Sequence, residues 1–163
     1  MTLKYTCVVV ACLFCLAGFA QKSGPFGSKG AHQTLFVEAG GPGILSINYD
    51  QRFQGEQGLG IRAGVGGYGF LKKGVFTIPL GLNYLTGSGD HFAELGAGVT
   101  IASSSVGNTY FDNPGTTTAG FINFGYRYVP QKKNLSFRAF ISPLFTAAGT
   151  IPFYGGGSVG IKF

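Results

Sequence analysis

Tryptophan is missing from this chain, cysteine is missing after residue 15, and charge is scarce throughout. Each absence excludes something. With all three cysteines at Cys7, Cys12 and Cys15, the rest of the chain can form no disulfide and offers no thiolate, so an oxidising compartment would give it no covalent bracing. Charged residues make up 11% of the sequence, against about 25% in an average soluble domain. A soluble domain so poor in charge has too little polar surface to cover itself. The net charge of +6 reflects few acids rather than many bases. The bases are scattered, apart from the pairs Lys72-Lys73 and Lys132-Lys133, whereas nucleic-acid binders gather Lys and Arg on one face. No nucleic acid is expected as a partner.

What the chain does have is glycine, 29 residues of it, together with 16 Phe and 8 Tyr. No G-X-Y period runs through them, so this is not a collagen. Many small and many aromatic residues with little charge suit a sheet that is crowded inside and greasy outside. At 163 residues there is room for one domain.

The N-terminus reads as an address. Lys4 precedes the apolar run from Val8 to Ala17, and Gly18-Phe19-Ala20 places small residues one and three before a cut. A positive start, an apolar centre and a small-x-small site describe a secretory signal peptide. The run is too short for a spanning helix, which needs about 20 apolar residues. Residues 1–20 are therefore expected to be removed, leaving Gln21 first. Val9-Val10-Ala11-Cys12 offers the rival reading of a lipoprotein box with Cys12 lipidated, but the apolar run continues past Cys12, which disfavours it. Residues 21–33, rich in Gly, Ser and Lys, read as a flexible leader.

From Thr34 to Phe163 the pattern has period two, the signature of half-buried strands. Runs fall at 44–52, 58–70, 75–85, 91–101, 121–129, 135–143 and 153–163, with turn signals at 53–57, 71–74, 87–90, 104–118, 130–134 and 146–152. The stretch 34–40 is either a strand of its own, cut off by Gly41-Pro42-Gly43, or the start of one long strand. Bacterial single-chain barrels have an even number of strands, and cutting at Gly-Pro-Gly gives eight, with both ends on one side. The runs have the length of about 9–11 residues that a tilted membrane strand needs. The expectation is an all-β, eight-stranded antiparallel up-and-down transmembrane β-barrel. Pro79 and Pro143 inside strands have no explanation at this level, since proline removes a ladder donor.

The two faces differ. One carries Leu45, Ile47, Tyr49, Leu59, Ile61, Val65, Phe76, Ile78, Leu80, Leu82, Leu95, Val99, Ile122, Phe124, Phe137, Ile141, Val159 and Ile161; the other carries Glu38, Asp50, Arg52, Arg62, Glu94, Arg127, Arg138 and Lys162. A charge facing lipid at the bilayer midplane costs about 2–4 kcal/mol, so the charged face is expected inside. There Glu38 and Glu94 would meet Arg62, Arg127 and Arg138 in a buried ionic cluster. An eight-stranded barrel is only wide enough for side chains to fill, so no continuous pore is expected. Tyr49, Tyr84, Tyr126, Tyr128 and Phe163 fall near the strand ends on the side of the termini, where an interfacial aromatic girdle would lie.

The signal peptide, the paired strands and the final Gly157-Ser158-Val159-Gly160-Ile161-Lys162-Phe163 resemble the small outer-membrane β-barrel proteins of Gram-negative bacteria, the OmpA- and OmpX-type barrels. The segments Asn48-Tyr49-Asp50-Gln51-Arg52-Phe53, Pro79-Leu80-Gly81-Leu82-Asn83-Tyr84-Leu85 and Gly125-Tyr126-Arg127-Tyr128 are similar to recurring segments of an outer-membrane β-barrel domain group in that class. The resemblance implies an integral place in the outer membrane, with its lipids and lipopolysaccharide as surroundings. It also implies that Phe163 serves as the signal read by the barrel-assembly machinery. It brings no known activity.

Other motifs read as structural. Gly64-x-Gly66-x-x-Gly69 matches a dinucleotide fingerprint, but that motif needs a strand-to-helix turn and here lies within a strand pattern. His32 sits in the leader and His91 at the terminus side of the outer face, with no strand-borne Ser and orienting acid beside either. Ligand spacings for a metal are absent, and Asp112 with Asn113 does not make a calcium loop. No cofactor is expected. The longest polar loop, 104–118, exposes Tyr110, Phe111 and Asp112 as a candidate partner contact. The reading is a monomeric, non-enzymatic barrel with a structural or surface-interaction role and a plugged interior. The alternatives are a narrow small-solute channel and a lipid-modifying enzyme. A secreted ligand-binding barrel is a further rival, and it would put the greasy face inside.

Overall fold

The computed structural model describes residues 33–69, 74–104 and 115–163. The expected signal peptide and leader up to His32, the Lys72-Lys73 pair and the loop residues Tyr110, Phe111 and Asp112 lie outside the described residues. Ten strand segments form one sheet: β1 (Gln33–Gly40), β2 (Leu45–Arg52), β3 (Gly58–Tyr68), β4 (Val75–Ser88), β5 (His91–Ser104), β6 (Gly115–Tyr128), β7 (Leu135–Ile141), β8 (Leu144–Thr146), β9 (Gly149–Ile151) and β10 (Gly155–Lys162). Each strand from β1 to β6 pairs antiparallel with its successor, and β10 joins β7 to β1 and closes the ring. The seventh barrel strand is β7 continued by β8, and the eighth is β9 continued into β10. The expected eight-stranded up-and-down barrel is what the chain forms.

Closure is made at the chain ends. Thr34 lies opposite Lys162, and Gln33 and Phe163 exchange backbone hydrogen bonds of 3.3 and 3.0 Å. The first hairpin is cut at Gly41-Pro42-Gly43, which forms a single 3-10 turn. So 34–52 is two strands. All three turn residues are buried, so this loop folds into the barrel mouth opposite the termini. Thr77 donates to the carbonyl of Gly43 at 3.0 Å and pins it there. Ile44 holds a φ of 65° to leave the turn, a conformation rare for β-branched residues.

Several boundaries differ from the sequence reading. β4, β5 and β6 each run 14 residues, because pairing persists from Ser88 opposite His91 up to Ser104 opposite Gly115. The polar threonines at 116–118 read as loop but are strand. The expected turn over 146–152 is instead the hairpin of β8 and β9, with Thr146 opposite Gly149. β7 stops at Ile141 because Pro143 has no N–H to continue the ladder. Its carbonyl instead accepts from Ile122, and Ser142 donates to Tyr154.

Pro79 is also accommodated. Pairing between β3 and β4 skips Ile78 and Pro79, then resumes in the same register at Thr77 opposite Gly66, while β5 keeps Thr100 opposite Pro79. The missing donor is thus confined to one side. The proline ring is buried inside the barrel.

Large interior side chains sit opposite glycines on the neighbouring strand. Asn48 faces Gly64, Arg52 faces Gly60, Phe121 faces Gly98 and Phe36 faces Gly160. A Cβ on Gly64 would stand 2.1 Å from Asn48 Oδ1, and one on Gly98 would stand 2.6 Å from the Phe121 ring. This large-against-small alternation is how a narrow barrel fills without clash. It also accounts for Gly64 and Gly66 of the apparent nucleotide motif: a Cβ on Gly66 would meet Ser46 at 2.4 Å.

Candidate functional site: a buried ionic chain

Alternation puts one face of each strand inside, and the charged residues lie on that face. Among the described residues every charged strand residue is buried: Glu38, Asp50, Arg52, Arg62, Glu94, Arg127, Arg138 and Lys162. The opposite face makes an apolar outer wall, with Leu45, Ile61, Leu82, Leu95, Phe124, Ile141 and Ile161 each exposed.

Inside, the charges alternate in sign along a continuous path. Arg62 Nη2 lies 2.6 Å from Glu38 Oε1, and Arg138 Nη1 lies 2.7 Å from Glu38 Oε2. Arg138 Nε then reaches Glu94 Oε2 at 2.8 Å, which Arg127 Nε also meets at 3.0 Å. Arg127 Nη2 continues to Asp50 Oδ2 at 2.8 Å, and Arg52 stands 3.9 Å from Asp50. The five residues expected to meet, Glu38, Arg62, Glu94, Arg127 and Arg138, are all in this chain.

Asp50 and Arg52 are also in it. Sequence reading placed both inside but not in the cluster, because parity gives a face and not a level along the barrel. Amides complete the chain. Asn83 Nδ2 donates to Asp50 at 2.7 Å while its Oδ1 accepts from Arg52 at 2.9 Å, which ties in β4. Asn48 Oδ1 accepts from Arg62 Nε at 3.4 Å. Two arginines also lie on aromatic rings, Arg62 at 5.0 Å from the Phe36 centroid and Arg138 at 4.1 Å from that of Phe140.

The ion pairs join side chains from six barrel strands, β1, β2, β3, β5, β6 and β7. Four arginines face three carboxylates, an excess of one positive charge. Desolvation offsets much of the attraction in such a chain, but removing one partner leaves a buried charge uncompensated. The arrangement therefore acts as an interlock: each charge depends on partners from other strands.

The end of the barrel on the side of the termini is closed separately. Lys162 Nζ pairs with Glu56 at 2.9 Å, and Gln131 donates to Glu56 at 2.7 Å. Glu56 was legible only as a turn residue. Leu85, Phe92 and Val129 pack as a small apolar cluster beneath. Phe163, the expected assembly signal, lies outward beside the closure seam and is half exposed at 46%.

His91 is on the outer wall, hydrogen-bonded to Tyr126, with its ring 5.2 Å from that of Tyr128. Tyr128 in turn lies 6.3 Å from Phe137. Among the described residues, no group of His, Cys, Asp or Glu is arranged to hold a metal.

The chain matches no protein-family model, and no curated protein matches it in sequence. In structure it is similar to the N-terminal β-barrel domain of OprF from Pseudomonas aeruginosa. The TM-score is 0.63 and the identity 14%, over 83% of this chain and 100% of that domain. At that identity the likeness speaks to the fold: a closed, eight-stranded, antiparallel up-and-down barrel.

Proposed function

We propose that this chain is an integral outer-membrane β-barrel protein, non-enzymatic and monomeric, with a structural or surface-interaction role and an interior plugged by its own side chains. One observation carries the membrane reading: charged strand residues are buried and large apolar residues face outward on every barrel strand. Soluble monomers rarely expose a contiguous apolar patch above a few hundred Å², whereas this distribution suits a lipid-facing wall. It is also the reverse of a secreted barrel that carries its ligand on a greasy inner face.

The plug is supported by the ionic chain and by Phe36, Phe121 and Phe140, all buried inside. The aromatic arc of His91, Tyr128 and Phe137 supports an interface on the side of the termini, where headgroups of lipids or lipopolysaccharide would meet it. His91 points to that wall rather than into the barrel, which favours an anchoring role over an enzymatic one. Phe163 at the closing strand would engage the barrel-assembly machinery.

Cell fractionation tests the location. The protein should sediment with outer membranes, resist carbonate washing and need detergent for release. Recovery in the soluble fraction would contradict the proposal. Planar-bilayer recording tests the plug, which predicts no stable conductance; a steady single-channel current would favour the narrow-channel alternative.

A further inference from the structure

The ionic chain approaches the mouth turn at Glu38, whose Oε1 would stand 3.2 Å from a Cβ on Gly41. The side nearer the mouth holds a cavity of about 240 Å³ whose lining, among the described residues, contains no Asp, Glu, Lys, Arg or His. Pro42 of the inward-folded turn forms one wall, and Ala102, Ala119 and Leu144 contribute apolar surface from β5, β6 and β8. The wall is held in place from below, because the turn is tied by the Thr77 hydroxyl and by the 2.6 Å hydrogen bond from Gly40 N to Ile44 O.

Thr100 lies deeper along β5 than Ala102 and also lines the cavity. It is 3% exposed, and its hydroxyl has no hydrogen-bond partner among the described residues. A buried hydroxyl without a partner is costly, and a ligand that pairs with it recovers that cost. The described lining carries no charge, so an ion there would lose its hydration without compensation from it. The volume is small. It falls below the roughly 300–1,000 Å³ of sites for drug-sized ligands.

We propose that the barrel mouth is a binding site for a small uncharged alcohol or phenol. Its hydroxyl pairs with Thr100 Oγ1, and its hydrocarbon part lies against Ala102, Ala119 and Leu144. The inference does not rest on what surrounds the barrel, since Thr100, Ala102 and Ala119 are buried inside it.

The test is a titration of 4-methylphenol into the protein in lipid nanodiscs, followed by the methyl resonances of alanine. Ala102 and Ala119 face inward, while Ala63 and Ala97 face outward and report partitioning into the bilayer. The expected result is saturable shifts at Ala102 and Ala119, with no saturable change at Ala63 or Ala97. Thr100→Val, nearly isosteric, should weaken binding about tenfold, the loss of one hydrogen bond at a buried site. Ala119→Phe, which fills the cavity, should abolish it. Thr100→Val carries the test if Ala119→Phe does not fold. Unshifted interior methyls, shifts that grow without saturation at inward and outward alanines alike, or undiminished binding by Thr100→Val would each overturn the proposal.

Discussion

Arg127 on β6 hydrogen-bonds Asp50 on β2 at 2.8 Å, across 77 positions of sequence and between strands that are not neighbours in the sheet. The contact passes through the barrel interior rather than along its wall. It means that the ionic chain braces the cross-section. A ladder of backbone hydrogen bonds fixes only adjacent strands; Arg127 and Asp50 hold opposite parts of the ring at a set distance.

Glu94 is the link between Arg127 and Arg138, so Glu94→Ala leaves two buried guanidiniums short of a partner. Breaking a buried pair this way costs about 3–5 kcal/mol. Heat-modifiable gel mobility and urea unfolding should both show a less resistant barrel, with export unimpaired. Wild-type heat resistance in this variant would count against the interlock.

Leu82 is half exposed on the outer wall, opposite Ile61 and Ala97. If that wall meets lipid, Leu82→Arg should cost about 2–4 kcal/mol for refolding into bilayers. A solvated position would tolerate the arginine with little change. Refolding yield and unfolding midpoint in lipid vesicles distinguish the two.

Glycines on the inner face are not equivalent to glycines at loop ends. A Cβ on Gly98 would stand 2.2 Å from the Leu80 carbonyl as well as against Phe121, whereas one on Gly115 meets nothing within 4 Å among the described residues. Gly98→Ala should therefore destabilise by about 1–3 kcal/mol through overpacking, and Gly115→Ala should be close to neutral. Equal effects in urea titrations would undo the large-against-small packing argument.

Phe163→Ala separates assembly from stability. Phe163 joins Gln33 through its backbone, which alanine preserves, so refolding of the purified chain should be nearly unchanged. In cells, less protein should reach the folded, heat-modifiable form. Normal assembly in cells would remove Phe163 as a signal.

Much of this was legible in the sequence, for a physical reason. Period two assigns each residue to a face, and the separation of Leu82, Leu95 and Ile161 from Arg62, Glu94 and Arg138 made the faces unmistakable. Parity alone also split 34–52. Alternation does not reveal level. Whether Asp50 meets Arg127 depends on the stagger of strands around the ring, which no local pattern encodes. The inward fold of Gly41-Pro42-Gly43 was hidden likewise, since a Gly-Pro-Gly turn reads the same whether it points to solvent or into the barrel. The strand character of residues 116–118 was masked by three threonines in a row, which show no alternation.

The central claim is that the wall bearing Leu80, Leu82 and Tyr84 faces lipid while Asn83 and Leu85 on the same strand face inward. Cysteine is missing after residue 15, so single cysteines at 80, 82 and 84 can each carry a nitroxide label without background from residues 16–163. Electron paramagnetic resonance of the barrel in bilayers then reads their surroundings directly. The account predicts labels accessible to oxygen and shielded from a water-soluble nickel complex at all three outward positions. Labels at 80, 82 and 84 that are open to the nickel complex would contradict it.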